Sequence, residues 1–183
     1  MAKIHLPLRT ALLLRAGGVI GYPTEGVYGL GCDPRHEDAL EYLLDIKGRD
    51  ADKGLILLAD TRARLKAWVS PAALARIPPQ PGARATTWIV PASATCSTLL
   101  TGGRATLAVR ISSHPVAAAL AAMLGAPIVS TSANLSGRPA ITRAAVLRRQ
   151  FGPALDAIIA RPTGGERGPS RIIDAATGTV LRD

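Results

Sequence analysis

The sequence predicts an α/β domain built on one twisted mixed sheet with flanking helices. Three observations carry that expectation. Short apolar runs of strand length alternate with segments of helical period along the chain, the pattern of helices layered on a sheet. The chain has 183 residues, the size of one domain; no repeat or low-complexity linker divides it, so residues 1–183 read as a single unit. Hydrophobic residues make up 48% and charged residues 19%, a composition that can bury a core and is unlike that of disordered chains.

The elements follow in order. Residues 8–16 have helical spacing, and Gly17-Gly18 ends that helix. Residues 19–22 read as a buried strand stopped by Pro23, and residues 24–31 as a Gly-rich loop. A helix is predicted over 37–46, a polar connection over 47–54 and a strand over 55–59. Helices are expected at 61–69 and 71–76, the second with Ser70 as cap and Pro71 in its first turn. A Pro/Gly-rich loop covers 78–85. Strands follow at 86–90 and 106–110, then a helix over 115–124 that begins after His114, read as a cap, and stops at Gly125. A short strand at 128–129 runs into Ser130-Thr131-Ser132-Ala133-Asn134. Thr142 is expected to cap a helix over 143–150. Strands close the chain at 157–160, 171–174 and 179–182, the last two joined by a Thr177-Gly178 turn. The segment from Arg161 to Pro169 is the best candidate for a mobile loop.

Composition excludes several classes. No apolar run approaches the ~20 residues of a membrane span, and residues 1–7 lack a signal peptide's apolar stretch. Two cysteines far apart, Cys32 and Cys96, make neither a disulfide framework nor a metal pair. A cytoplasmic protein is expected. The formal charge of +9 draws the chain to nucleic acid, nucleotides and phosphates. Aromatic residues are only 3%, too few for a base-stacking platform. There is no P-loop, no dinucleotide fingerprint, no zinc-protease motif and no nucleophile elbow.

What the chain does hold is hydroxyls and cations beside glycines at strand ends. Thr24 follows a strand. Lys47, Arg49 and Lys53 crowd one connection. Arg110 ends a buried strand, where a cation must be paired or face a ligand. Five small polar side chains follow the strand at 128–129, and Ser170 precedes another strand. Such groups build phosphate and carboxylate sites, at the strand ends where α/β sheets bind ligands. Taken singly, each has a plainer reading. Ser132, Asn134 and Ser136 serve turns, Lys47-Arg49-Lys53 is a solvated loop, Arg110 pairs with an acid, Thr24 is a turn residue and Tyr28 is packing.

Taken together, five segments resemble the YrdC-like family of threonylcarbamoyl-AMP synthases. They are Gly18 to Asp33, Lys47-x-Arg49-x-x-x-Lys53, Leu107-Ala-Val-Arg110, Ser130-Thr-Ser-Ala-Asn-Leu-Ser-Gly137, and Pro169-Ser170-x-x-x-Asp174 with Arg182. They come in family order from about Leu12 to Arg182 and match the short, single-domain form. The resemblance implies a twisted mixed sheet with a basic concave face. It implies synthesis of threonylcarbamoyl-AMP and pyrophosphate from L-threonine, bicarbonate and ATP, with Mg²⁺ accompanying the ATP and no metal held by side chains. Partner proteins would then transfer the threonylcarbamoyl group to adenosine in tRNA. By the same resemblance Thr24 and Arg110 hold threonine, with Ser130 and Ser170 beside it. Lys47 and Arg49 hold the ATP phosphates, and Ser132, Asn134 and Arg182 serve the nucleotide. Lys53 and Tyr28 rank behind these.

Three positions depart from the family pattern: Asp50 replaces a proline, residues 81–87 lack the usual Pro-Gly-Pro stretch, and Arg171 is an added cation. Two other readings stay open. One is a non-catalytic RNA-binding or ribosome-maturation factor that uses the same basic face, supported by Arg138, Arg143, Arg148 and Arg149 near one helix. The other is a degenerate relative that binds nucleotide without turnover.

Overall fold

Alternation of side chains along nine strands decides which groups lie under helices and which face an open cleft. The computed structural model describes residues 6–135 and 137–183; Ser136 of the polar turn lies outside them. In chain order the elements are α1 (Leu8–Arg15), β1 (Ile20–Pro23), β2 (Tyr28–Gly31), α2 (Glu37–Lys47), β3 (Ile56–Ala59), α3 (Pro71–Arg76), β4 (Thr86–Pro91), α4 (Thr98–Thr101), β5 (Thr106–Ile111), α5 (Pro115–Leu124), β6 (Ile128–Ser132), α6 (Ala144–Phe151), β7 (Ala157–Ile158), β8 (Arg171–Asp174) and β9 (Val180–Arg182). Among the described residues the strands form one sheet in the order β7-β1-β2-β6-β3-β5-β4-β8-β9. It is mixed: β1/β7, β3/β5 and β4/β8 are parallel, and the other neighbours are antiparallel.

Strand β6 joins the two halves. Its C-terminal part pairs with β2 (Gly29↔Ser132) and its N-terminal part with β3 (Leu58↔Ile128). One face of the sheet packs Tyr28, Leu30, Leu57, Val109 and Val129 against Leu40 and Leu43 of α2, Ala73 of α3 and Leu147 and Phe151 of α6. The other face is covered in part. Leu14 of α1 and Val116, Leu120 and Leu124 of α5 pack on Ile20, Tyr22, Leu58 and Ile128. Each fully buried leucine contributes roughly 1.5–3 kcal/mol by leaving water. Beyond α5 that face is left to a cleft.

The helix punctuation is local chemistry. Ser70 Oγ accepts from the Ala73 N–H and Pro71 opens α3. His114 Nδ1 accepts from the Val116 N–H, and Gly125 ends α5 in the left-handed region, as expected for caps. Three expectations change. Residues 28–31 are a strand rather than loop, because they pair along their length with β1 and Gly31 lets β2 approach β6. Thr142 does not cap α6: Arg143 holds that position without a side-chain bond, so Thr142 lies one residue too early. Residues 61–69 make only a short 3₁₀ turn at Arg62–Leu65, because Val69 bridges to Ala92 instead. The short helix α4 has no counterpart in the sequence reading.

A Cβ on Gly31 would stand 1.9 Å from the Val129 carbonyl oxygen, a clash with backbone that no rotamer relieves. Gly31→Ala is expected to destabilise the fold by about 3 kcal/mol or more, read by urea unfolding. A loss under about 0.5 kcal/mol, the range of neutral surface changes, would contradict the tight β2–β6 approach.

Candidate active site

The cleft follows from strand register. Ser130, Ile56 and Ala108 lie side by side across β6, β3 and β5. In the next row Ile128 and Leu58 sit under α5, and Arg110 lies beyond them at the cleft edge. The inner pocket, of ≈ 120 Å³, is lined by residues that include Thr24, Tyr28, Arg49, Arg110, Ser130, Ser132, Ser170 and Arg182. A second pocket of ≈ 180 Å³ adjoins it, shares Arg49 and Arg182, and adds Lys53, Thr87 and Arg104. The inner pocket is well below the ~300 Å³ at which drug-sized ligand sites begin. It therefore fits a small molecule, with room for a larger one to extend outward.

Arg110 is 7% exposed and sits against Glu25, which is 3% exposed. Its Nη2 stands 3.2 Å from Glu25 Oε2. Glu25 Oε1 accepts from Ser112 Oγ at 2.6 Å, the Ser113 N–H at 2.9 Å and the His114 N–H at 3.3 Å. Burial alone would raise the Glu25 carboxyl, but Arg110 and those donors bring it below the usual range. Arg110 Nε is buried and has no hydrogen-bond partner. A buried donor left without a partner costs free energy, and Glu25 Oε2 likewise accepts no hydrogen bond.

The other cations are held differently. Arg49 donates to the Gly54 and Lys53 carbonyls. Arg182 donates to the Ser170 carbonyl at 2.7 Å, and Ser170 Oγ bonds Thr87 Oγ1 at 2.7 Å. Arg104 donates to the Asp52 carbonyl. Burial, then a neighbouring arginine, lowers both Arg49 and Arg182 from their ordinary values. Lys53 is exposed and paired with Asp50 at 2.7 Å, so the acid that departs from the family pattern is spent on the loop's own lysine. Arg171 pairs with Asp183 at the surface.

Thr24 closes the β1–β2 turn, its Oγ1 donating to the Val27 carbonyl at 2.7 Å. Tyr28 is core on one side and pocket wall on the other, and donates to the Arg161 carbonyl. Lys47 and Asn134 stand behind the wall rather than on it. Lys47, in the last turn of α2 before the left-handed Gly48, donates to the carbonyls of Ser132 and of Asn134 (2.7 Å). Asn134 spends its amide on the Leu135 and Arg138 carbonyls and accepts from Ser132 Oγ. The segment 161–169, read as a mobile loop, is strapped over the Thr24–Glu25 turn. Gly164 and Glu166 donate to the Thr24 and Glu25 carbonyls, and the Glu166 carboxylate accepts from the Ala85 N–H. Gly26 admits the strap, since a Cβ there would meet the Gly168 carbonyl at 2.4 Å. Among the described residues no group of three or more His, Cys, Asp or Glu side chains is placed to hold a metal ion. No described helix is long and apolar enough to cross a membrane.

A family model described as Sua5/yciO/yrdC, "Telomere recombination", matches residues 12–183. The chain belongs to the Sua5/YciO/YrdC family. It is 51% identical over 173 residues to a protein of Thiobacillus denitrificans named threonylcarbamoyl-AMP synthase, covering 92% of this chain and 90% of that one. A Xanthomonas campestris protein of the same name is 47% identical over 176 residues, with 93% of each covered. Among solved structures, P. abyssi Sua5 complexed with L-threonine superposes with a TM-score of 0.81 at 31% identity, covering 91% of this chain. This chain spans 50% of that Sua5 chain. E. coli YciO gives 0.80 at 26% identity, over 96% of this chain and 87% of the other.

Eight of the residues singled out from sequence thus share one pocket wall, Lys53 lines its extension, and Lys47 and Asn134 buttress it. Sequence reasoning passed over Glu25, Thr87, Ser112 and Arg104. For Glu25 a signal existed: an acid in a Gly-rich loop, in a chain whose buried Arg110 needed a partner.

Burial, then the nearby Arg49, lowers the Lys47 ammonium to about 8. An unfolded lysine titrates near ~10.4, so between those values the unfolded chain holds the extra proton and stability rises with pH. Urea unfolding from pH 7.5 to 10 is expected to show the wild type gaining stability relative to Lys47→Met across that window. Parallel curves would contradict the buried placement of Lys47.

Proposed function

We propose that the chain is a threonylcarbamoyl-AMP synthase. It joins L-threonine, bicarbonate and ATP, and releases pyrophosphate and water. The observation that carries the reading is Arg110, a nearly buried arginine paired with Glu25, on the wall of an amino-acid-sized pocket, in a chain about half identical to synthases of that name. Sua5 bound to L-threonine, at a TM-score of 0.81, supports the catalytic reading over that of an RNA-binding factor.

The threonine amine attacks the bicarbonate carbon, and loss of water leaves a carbamate. A carbamate oxygen then attacks the α-phosphorus of ATP as the bond to pyrophosphate breaks. Neither step demands a strong side-chain base. Both demand positioning and neutralisation of phosphate charge. Arg110 takes the threonine carboxylate, with Thr24 and Ser130 beside it. Arg49 and Arg182 lie on both pockets and span the junction where carbamate meets the α-phosphate. Ser170 fixes Arg182 through its carbonyl. Lys53 and Arg104 line the outer pocket and suit the β- and γ-phosphates. Lys47 holds the Ser132–Asn134 turn, which presents Ser132 to the nucleotide.

Bound to ATP, Mg²⁺ would supply neutralisation of its phosphate charge. Glu25, the carboxylate beside the inner pocket, is committed to Arg110 and the 112–114 turn, so it would not be free to hold that ion. The product leaves for partner proteins that transfer the threonylcarbamoyl group to tRNA in the cytoplasm. RNA would meet the exposed Arg138, Arg143, Arg148 and Arg149 around α6.

Pyrophosphate release from Mg-ATP is expected to require both L-threonine and bicarbonate. Arg49→Ala and Arg110→Ala should each lower it by about 100-fold or more, with Arg110→Ala also raising the threonine KM. Release that ignores threonine, or no release at all, would overturn the assignment.

A further inference from the structure

The cations of the cleft fall into two electrostatic classes. Among the described residues, Arg49, Arg104 and Arg182 have no carboxylate within ion-pair distance. Their partners are backbone carbonyls, so each keeps its full charge for a ligand. Lys53 has Asp50, but both are exposed and that pair is screened by solvent. Arg110 alone among the pocket-lining cations has a buried counter-ion. Glu25 is not left free to wander. Four donors from residues 112–114 hold its Oε1, and Oε2, which accepts no hydrogen bond, stands 3.2 Å from Arg110 Nη2.

We propose that Glu25 is a positioning and specificity residue: by neutralising and fixing Arg110 it makes the inner pocket a site for a monoanionic carboxylate and excludes phosphate from it. This rests on the functional reading above and deepens it. The physical argument is one of balance. The enzyme must bind two anionic substrates in adjoining pockets and keep them in order. A buried arginine with its full charge attracts a polyanion more strongly than a zwitterion. Paired with Glu25, Arg110 presents its guanidinium on the pocket wall with little net charge behind it. That suits an amino acid, which brings one carboxylate and no net charge. At the outer end the uncompensated arginines favour phosphate. The gradient from neutral pair to bare cations thus runs the length of the cleft, and Glu25 sets its inner end.

Isothermal titration of the whole protein with L-threonine and, separately, with inorganic phosphate tests this. Glu25→Gln retains an acceptor for the 112–114 donors but sets an amide N–H toward Arg110 and leaves its charge uncompensated. Threonine Kd is expected to rise at least about tenfold and phosphate Kd to fall about tenfold, as for a charge pair left half-broken. Phosphate should become competitive with threonine in pyrophosphate release while the ATP KM stays within about threefold. If Glu25→Gln does not fold, Ser112→Ala carries the test. It removes the 2.6 Å bond that orients Glu25 but keeps the charge, so threonine should weaken about threefold with no gain in phosphate binding. Threonine binding by the wild type with an unchanged threonine-to-phosphate ratio in Glu25→Gln, or unchanged threonine affinity in Ser112→Ala, overturns the inference alone. A wild type that binds no threonine overturns the functional reading, and this inference with it.

Discussion

The Glu25–Arg110 pair is the constraint on which the site depends. Two charges less than a tenth exposed are costly to hold out of water, and the fold meets that cost by bringing four segments to one place. The β1–β2 turn supplies Glu25, the end of β5 supplies Arg110, and the turn before α5 supplies the donors to Oε1. The 161–169 strap bonds the Thr24 and Glu25 carbonyls from above. Sheet order makes this possible. β1–β2 and β5 are separated by β6 and β3, so only a turn that reaches across the open face can bring Glu25 to Arg110.

That open face is the second element of the account. A nine-stranded sheet offers more surface than α1 and α5 cover. Alternation then assigns chemistry without special devices. On β3 and β5 one set of residues, Leu57 and Val109, enters the large core, and their neighbours, Ile56 and Arg110, face the cleft. Close backbone approach does the rest. Gly31 brings β2 onto β6, and Gly26 admits the strap. The resulting wall has hydroxyls and cations and few ionisable acids, which suits charge neutralisation better than proton transfer.

Much of the fold was legible because it rests on local signals. Gly125, Pro71 and His114 mark helix ends that the structure keeps. Where the reading differed, tertiary contacts had the deciding voice. Residues 28–31 look like loop from their glycines, but they pair antiparallel with β1 along their length and with β6, where Gly31 comes close to Val129. Val69 leaves the periodic run 61–69 for a bridge to Ala92. The four residues of α4 are too few to carry a period. In the site, Arg110 could be paired or could face a ligand, and the structure shows the pairing, with Arg110 also lining the pocket. The acid could not be picked from sequence, since Glu25 and Arg110 are 85 residues apart in number and meet only through the sheet. Lys47 shows the converse. Its place in the Lys-x-Arg motif is obvious, but its engagement with the Ser132 and Asn134 carbonyls depends on the register of α2 over β6.

The central claim is that threonine is seated by its carboxylate on the neutralised Arg110, inside the cleft and away from the arginines of α6. A crystal structure of the protein soaked with L-threonine tests it most directly. The account predicts a carboxylate oxygen within hydrogen-bond distance of the Arg110 guanidinium, with the Glu25 pair intact. Threonine bound with its carboxylate on Arg49 or Arg182, or an Arg110 swung away from Glu25 to reach it, would contradict the account.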